Sequence, residues 1–388
     1  MPDFDFATTA QICMRRGGSQ QLIDFCQQFK AKRVLIVTDP GIQAAGLLQQ
    51  PLENLIQQGI DVTVFGDVLA DPAQAIVEDA ATLAANAGVQ MVIGFGGGSA
   101  MDVAKLVAVL AHPDCEQAIQ HMYGVGQLRS PRLPLIQVPT TAGTGSEVTP
   151  IAIITTGETT KAGVVSSTLL PDIALLDATL TVGLPGHVTA ATGIDAMVHA
   201  IEAYTSKIRK NPLSDMLAVQ ALSLLAPNVL NAVENGADIE CREAMLLGAC
   251  LAGQAFANAP VGAVHALAYP LGGHFHIPHG LSNALVLPHV MRFNRAECEH
   301  LYAELAQIIL PKTEQVSDPQ VQVTTLITWL ADLSIACGLP TTLTQCDIPQ
   351  SALPLLASEA MLQQRLLVNN PREVSEQDAL GIYQEAFA

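Results

Sequence analysis

Through the first half of the chain, short runs of β-branched and aliphatic residues alternate with stretches of helical periodicity. Residues 33–38 predict a strand, stopped by Asp39-Pro40-Gly41. Residues 42–58 predict a helical stretch that Pro51 interrupts. The alternation continues with strands at 61–65, 91–95 and 135–138 and helices at 72–87 and 102–111. Residues 151–155, 163–165 and 173–176 predict further strands, read as an appended ribbon. Strands that are apolar along their whole length imply a parallel sheet covered on both faces. After Pro185 the texture changes, and 188–205, 212–233, 239–257, 262–271, 297–309 and 321–337 all predict helices. The expected architecture is α/β plus all-α: an α/β domain over residues 1–185 and an all-helical domain over 186–388, with a cleft between them.

Two polar loops follow strands of the first domain. Gly96-Gly97-Gly98-Ser99 leads from strand 91–95 toward a helix, where a backbone stripped of side chains and exposed N–H groups can receive a pyrophosphate. It can equally be a tight strand-to-helix turn with Ser99 as the cap. Thr140-Thr141-Ala-Gly143-Thr144-Gly-Ser146 follows strand 135–138 and carries four hydroxyls, suited either to ligand oxygens or to a surface turn. Asp39 ends the first strand, where a carboxylate can accept from a ribose diol or simply cap the turn. The G-x-G-x-x-G fingerprint is absent.

The helical half concentrates metal-ligand chemistry. Asp195 and His199 stand at i and i+4 and project from one helix face, either as two metal ligands or as a hydrogen-bonded pair on the helix surface. Five of the ten His fall between His265 and His289. One carboxylate with several imidazoles and no Cys suits a divalent first-row ion such as Fe(II) or Zn(II).

Charge and composition narrow the options. A net charge of −18 disfavours phosphate backbones and anionic membranes, so neither nucleic acid nor membrane is expected as a partner. No run of 18 or more residues is apolar without interruption, which argues against a membrane span. The opening Met1-Pro2-Asp3-Phe4-Asp5 is acidic and unlike a secretory signal. Eight scattered Cys without a C-x-x-C pair read as thiols of a reducing cytoplasm.

These motifs, in this order, resemble the iron-containing (group III) alcohol dehydrogenase family along nearly the whole chain. The marks are Gly96-Gly97-Gly98-Ser99 with Asp102 and Lys105, Pro139-Thr140-Thr141-Ala-Gly143-Thr144-Gly-Ser-Glu147, Gly193-Ile-Asp195-Ala-Met-Val-His199-Ala-Ile-Glu202, and His279-Gly280-Leu-Ser-Asn283. Lactaldehyde reductases and 1,3-propanediol dehydrogenases are similar members, commonly built on a dimer, and the implied fold is dehydroquinate synthase-like.

The resemblance implies metal ligands Asp195, His199, His265 and His279. It implies an NAD site with the pyrophosphate on Gly97, Gly98 and Ser99, and with Asp102, Thr140, Thr141, Thr144 and Lys161 along the cofactor. Asp39 matches an acidic residue that favours NAD over NADP. Two positions depart from the family pattern: Tyr269 stands where many members carry a second His that helps move the substrate proton, and Asp71 stands where an Asn contacts the ribose. His274 and His276 are either pocket residues or polar surface.

The expected function is metal-dependent, NAD-linked oxidation of a small or medium primary alcohol, or reduction of its aldehyde, with hydride transfer in the interdomain cleft. Fe(II) is the first expectation for the metal and Zn(II) the second, in a cytoplasmic homodimer or higher homo-oligomer. Two rivals use a similar scaffold: a dehydroquinate synthase-type lyase, and a non-catalytic NAD-binding assembly protein. The lyase requires a basic cluster for a phosphorylated acid, and the helical half offers none around the ligand motifs.

Overall fold

The computed structural model describes residues 3–157 and 160–388 of the 388-residue chain, so Met1-Pro2 of the acidic opening lie outside the described residues. The chain divides into two compact units, Ala7–Gly183 and Leu184–Ala388, the second joined by the described residues up to Phe6.

Ala7–Gly183 is built on a six-stranded sheet. Its strands are β1 (Gln11–Met14), β2 (Arg33–Val37), β3 (Asp61–Phe65), β4 (Met91–Gly96), β6 (Leu135–Pro139) and β9 (Ile173–Leu176), ordered β1-β9-β6-β4-β2-β3 with every pairing parallel. A smaller sheet holds β5 (Gly124–Val125), β8 (Thr160–Val165) and β7 (Ile151–Thr156), with β7 and β8 antiparallel. The helices are α1 (Leu22–Gln28), α2 (Pro40–Ala44), α3 (Gln49–Gln57), α4 (Gln74–Ala87) and α5 (Gly98–Leu110).

Alternation along the strands sends side chains to two cores. Leu35 and Val37 of β2 join Val92 of β4, with Val77 and Ala80 of α4 and Val103 and Val107 of α5. Val34 and Ile36 join Met91, Ile93 and Phe95, with Leu22 and Phe25 of α1 and Leu55 of α3. Burial on both faces explains why these strands are apolar at consecutive positions.

Several expectations need correction. The break in the 42–58 stretch falls between Ala44 and Gln49, and Pro51 sits in the first turn of α3, where its missing N–H is no loss. The helix expected at 102–111 starts at Gly98, and its N-cap is Gly97 rather than Ser99. Strand 173–176 belongs to the main sheet beside β6 and β1, not to the ribbon.

Leu184–Ala388 is helical: α6 (Gly186–Thr205), α7 (Pro212–Glu234), α8 (Ile239–Asn258), α9 (Ala263–Phe275), α10 (His279–Ile309), α11 (Pro319–Ala336), α12 (Leu353–Ala360), α13 (Gln364–Leu367) and α14 (Glu376–Phe387). The helix expected at 297–309 is the second half of α10, which is kinked at Cys298 (φ −135°, ψ 26°). Nearly all of α6 is buried, its polar Asp195, His199 and Glu202 included, and it packs on α7, α8 and α10. Among the described residues α7 is the one single helix long and apolar enough to cross a membrane by length and composition, despite the polar residues that interrupt it. In this unit its buried side is spent against α6 and α8.

Candidate metal centre and cofactor loops

Four side chains from three helices meet in the helical unit. Asp195 and His199 come from the middle of α6, His265 from the first turn of α9 and His279 from the first residue of α10. One potential ligand atom from each lies within 4.8 Å of all the others. Glycine makes the approach possible: a Cβ on Gly280 would stand 2.3 Å from the Ala191 carbonyl oxygen and 3.3 Å from Asp195 Cβ. Only a residue without a side chain lets the start of α10 lie this close to α6.

Burial sets the electrostatics. It pushes His199 and His265 down to about 4, so both imidazoles are neutral near pH 7 and keep a lone pair for a cation. Burial alone would raise the Asp195 carboxyl, but His199, His279, His265 and the Asn283 amide together hold it below the usual carboxylate value. Asn283 Nδ2 lies 2.6 Å from Asp195 Oδ1, 3.2 Å from His265 Nε2 and 3.3 Å from His279 Nε2. An amide nitrogen has two hydrogens, so three acceptors compete for two donors. The His199 Nδ1 and Asn283 Oδ1 atoms are buried with no hydrogen-bond partner. A carboxylate, three imidazoles, a surplus of acceptors and an unpartnered ring nitrogen fit a divalent first-row ion.

Three neighbours had no assigned role in the sequence. Phe256 of α8 stacks on His199 with ring centroids 4.3 Å apart. Glu202, seven residues after Asp195 on α6, accepts from Val264 N–H at 2.8 Å and meets His265 Nδ1 at 2.5 Å. Burial raises its carboxyl to about 7, while the Val264 and Gly262 N–H groups draw it back. The third is Asn283. Spacing on α6 could have flagged Glu202, but nothing in the sequence singles out Phe256.

Tyr269 is half-buried, and its ring centroid lies 6.0 Å from that of His279. His274 pairs with Glu359 of α12 at 2.7 Å, and His276 is exposed at the left-handed C-cap of α9. Neither joins the four-residue cluster.

In the α/β unit the two polar loops pack on one another. A Cβ on Gly98 would come within 2.7 Å of Thr144 Cγ2, so the contact requires glycine. Thr141 lies over Gly97, and the Thr140 N–H bonds to the Gly96 carbonyl at 3.0 Å. The N-terminus of α5 receives no side-chain cap at Gly97, which leaves its first N–H groups for an anion. A cavity of about 400 Å³ is lined by Asp39, Val68, Leu69, Gly97, Gly98 and Ser99, among others. Asp39, which lines this cavity, also caps α2 through the Ile42 N–H at 3.0 Å, the capping use expected of it.

Asp102 is taken up by the protein itself: it accepts from Ser146 Oγ at 2.6 Å and Ile153 N–H at 2.9 Å, and Lys105 lies 3.4 Å away. Fully buried Lys105 also reaches Ser146, Thr149 and the Ile151 carbonyl, so the pair staples the hydroxyl-rich loop to α5. Asp71 and Lys161 form an ion pair, and Asp71 adopts a left-handed backbone (φ 51°).

Beside the staple, Glu147 is fully buried, and burial pushes its carboxyl up to about 7. The unfolded chain releases this proton first, so stability falls as pH rises from about 4.5 to about 7 and then levels off. Glu147→Gln is expected to flatten that fall, narrowing the Tm difference across the window by about 2 °C or more. An unchanged Tm–pH slope in scanning calorimetry contradicts this.

Comparison with known proteins matches both units. Residues 9–178 match the family model described as iron-containing alcohol dehydrogenase, and residues 189–387 match the C-terminal model of the same family. Long-chain-alcohol dehydrogenase 1 of Geobacillus thermodenitrificans is 43% identical over 376 residues, which is 96% of this chain and 94% of that protein. A crystal structure of a 1,3-propanediol oxidoreductase superposes with a TM-score of 0.94 at 34% identity, covering 100% of both chains. Sulfoacetaldehyde reductase from Bifidobacterium kashiwanohense, solved with NAD+, superposes with a TM-score of 0.88 at 28% identity over 100% of this chain and 99% of that one. The chain therefore belongs to the iron-containing alcohol dehydrogenase family and is an NAD-linked alcohol dehydrogenase or aldehyde reductase.

Proposed function

We propose that the protein interconverts small or medium primary alcohols and their aldehydes, with a divalent ion, Fe(II) before Zn(II), held by Asp195, His199, His265 and His279. The observation that carries this is the convergence of those four ligand atoms within 4.8 Å. An ion held there supplies Lewis acidity that lowers the pKa of an alcohol hydroxyl, and NAD supplies the hydride acceptor.

The chain's own groups bind, orient and move the proton. Burial keeps the imidazoles neutral, and the Phe256 ring shields His199 from water. Gly97, Gly98 and Ser99 hold the cofactor pyrophosphate on the start of α5, with Thr140, Thr141 and Thr144 beside it. Asp102 contributes by holding the Thr144–Ser146 loop in place through Ser146. Lys161 and Asp71 act as a pair at the cofactor ribose. Tyr269 exchanges a proton with the substrate oxygen. No protein nucleophile is required.

The functional division we propose follows residues 1–185 for the dinucleotide and 186–388 for the metal and substrate. A cytoplasmic homodimer or higher homo-oligomer completes the reading. The association is supported by β1, which pairs on one side only and leaves Ile12 and Met14 partly exposed. Assaying the purified protein, with its metal content measured, against a series of primary alcohols and aldehydes tests the substrate class. Turnover confined to secondary alcohols, or none with any alcohol, contradicts it.

Asp39 decides the cofactor. Its carboxylate lines the same cavity as Gly97 and Gly98 and would repel a 2′-phosphate. Removing one like charge near a phosphate is worth about 1 kcal/mol in water and about 4 at the dielectric of a protein surface. Asp39→Gly is therefore expected to raise kcat/KM for NADP relative to NAD by about 10-fold or more. A ratio that does not move removes Asp39 from the ribose site.

A further inference from the structure

The carboxylate of Glu202 spans two donors on another helix. Its Oε1 accepts from the Val264 N–H at 2.8 Å, and its Oε2 lies 2.5 Å from Nδ1 of His265, the very next residue. These are among the first N–H-bearing positions of α9, whose N-cap, Gly262, has no side chain to cap the helix. The cap comes from elsewhere: Asn370 takes the Ala263 N–H at 3.3 Å, and Glu202 takes the next. On the opposite edge of the same imidazole, Asn283 Nδ2 lies 3.2 Å from Nε2. An amide nitrogen can only donate, so that Nε2 is an acceptor, and the proton belongs on Nδ1 facing Glu202.

We propose that Glu202 is a positioning residue for the metal centre: it fixes the tautomer and aim of His265, and ties both to the start of α9. The inference rests on the metal reading above. A ligand imidazole must present a bare nitrogen, and the hydrogen bond at its other nitrogen decides which one that is. Only a carboxylate can accept from both donors at once. In Glu202→Gln the amide has one acceptor. If that oxygen keeps the Val264 N–H, the NH₂ faces Nδ1 and drives the proton to Nε2, the atom beside Asn283 Nδ2. If it keeps Nδ1–H, the NH₂ confronts the Val264 N–H, and the helix start is left without its cap.

The test is zinc affinity by chelator competition on wild type and Glu202→Gln, with kcat and KM beside it. The expected result is zinc binding about 10–100-fold weaker in Glu202→Gln, with kcat falling more than KM rises at equal zinc. Equal affinities overturn the proposal. A wild type that binds no zinc or iron overturns the metal reading itself, and is distinguished from the first failure by that protein alone. Should Glu202→Gln not fold, nitrogen-15 histidine NMR of the zinc-loaded wild type decides. His265 bound through Nε2 with a proton on Nδ1 is expected, and His265 bound through Nδ1 overturns the proposal.

Discussion

Replacing His279 with Ala is expected to leave a folded protein that loses its metal and, with it, turnover. His279 is the cleanest of the four positions to remove. It is the first residue of α10, and its side chain is 31% exposed, so truncation opens no core cavity. His265→Ala would also strand Glu202 and the start of α9, mixing metal loss with local unfolding. Losing a partner hydrogen bond behind a ligand already costs about 10–100-fold in metal affinity or activity. Losing the ligand itself should cost at least about 10²-fold in kcat, with a metal content near zero by elemental analysis and an unchanged circular dichroism spectrum. Full activity in a metal-free His279→Ala protein contradicts the assignment.

Tyr269→Phe carries the second large effect. Tyr269 follows His265 by one helical turn on α9, and its ring sits beside His279, so the phenol shares the side of the helix that bears the ligand cluster. Removing only the hydroxyl keeps the ring and its packing. If the phenol exchanges a proton with the substrate oxygen, kcat should fall about 10²-fold or more, the scale of general acid–base assistance, while metal content stays constant. Wild-type kcat with an unaltered pH profile would reduce Tyr269 to a wall of the site, with water carrying the proton.

The architecture was legible wherever local pattern and tertiary need agree. Strands buried on both faces, such as β2 and β4, announce themselves as unbroken apolar runs. β1 does not: Gln11–Met14 is a short edge strand, and its stability comes from pairing with β9 some 160 residues away. The start of α10 was hidden for a different reason. His279, Gly280 and the preceding Pro278 look like a turn, and only the contact of Gly280 with the Ala191 carbonyl shows why glycine stands inside a helix there. Residues 173–176 were recognisable as a strand, but sheet membership depends on partners that periodicity does not encode.

In the candidate site, Asp195 and His199 were readable because i and i+4 share a helix face. His265 and His279 needed the family motifs, since the approach of three helices leaves no mark in local spacing. Glu202 lay in plain view on the face that carries Asp195, yet its pairing with His265 across to α9 is a tertiary fact. Asp102 looked like a cofactor contact by its place in the glycine motif. Its oxygens also meet Ser146 and the Ile153 N–H, a role that only the packing of β7 and the hydroxyl loop on α5 reveals.

The central claim is that a divalent ion on Asp195, His199, His265 and His279 is required for NAD-linked turnover of primary alcohols. The most direct measurement titrates Fe(II), and separately Zn(II), into chelator-stripped protein while NADH formation from a primary alcohol is followed. Turnover that is absent without metal, rises with added ion and saturates near one ion per chain is predicted. Full turnover in the stripped protein before any ion is added would contradict it.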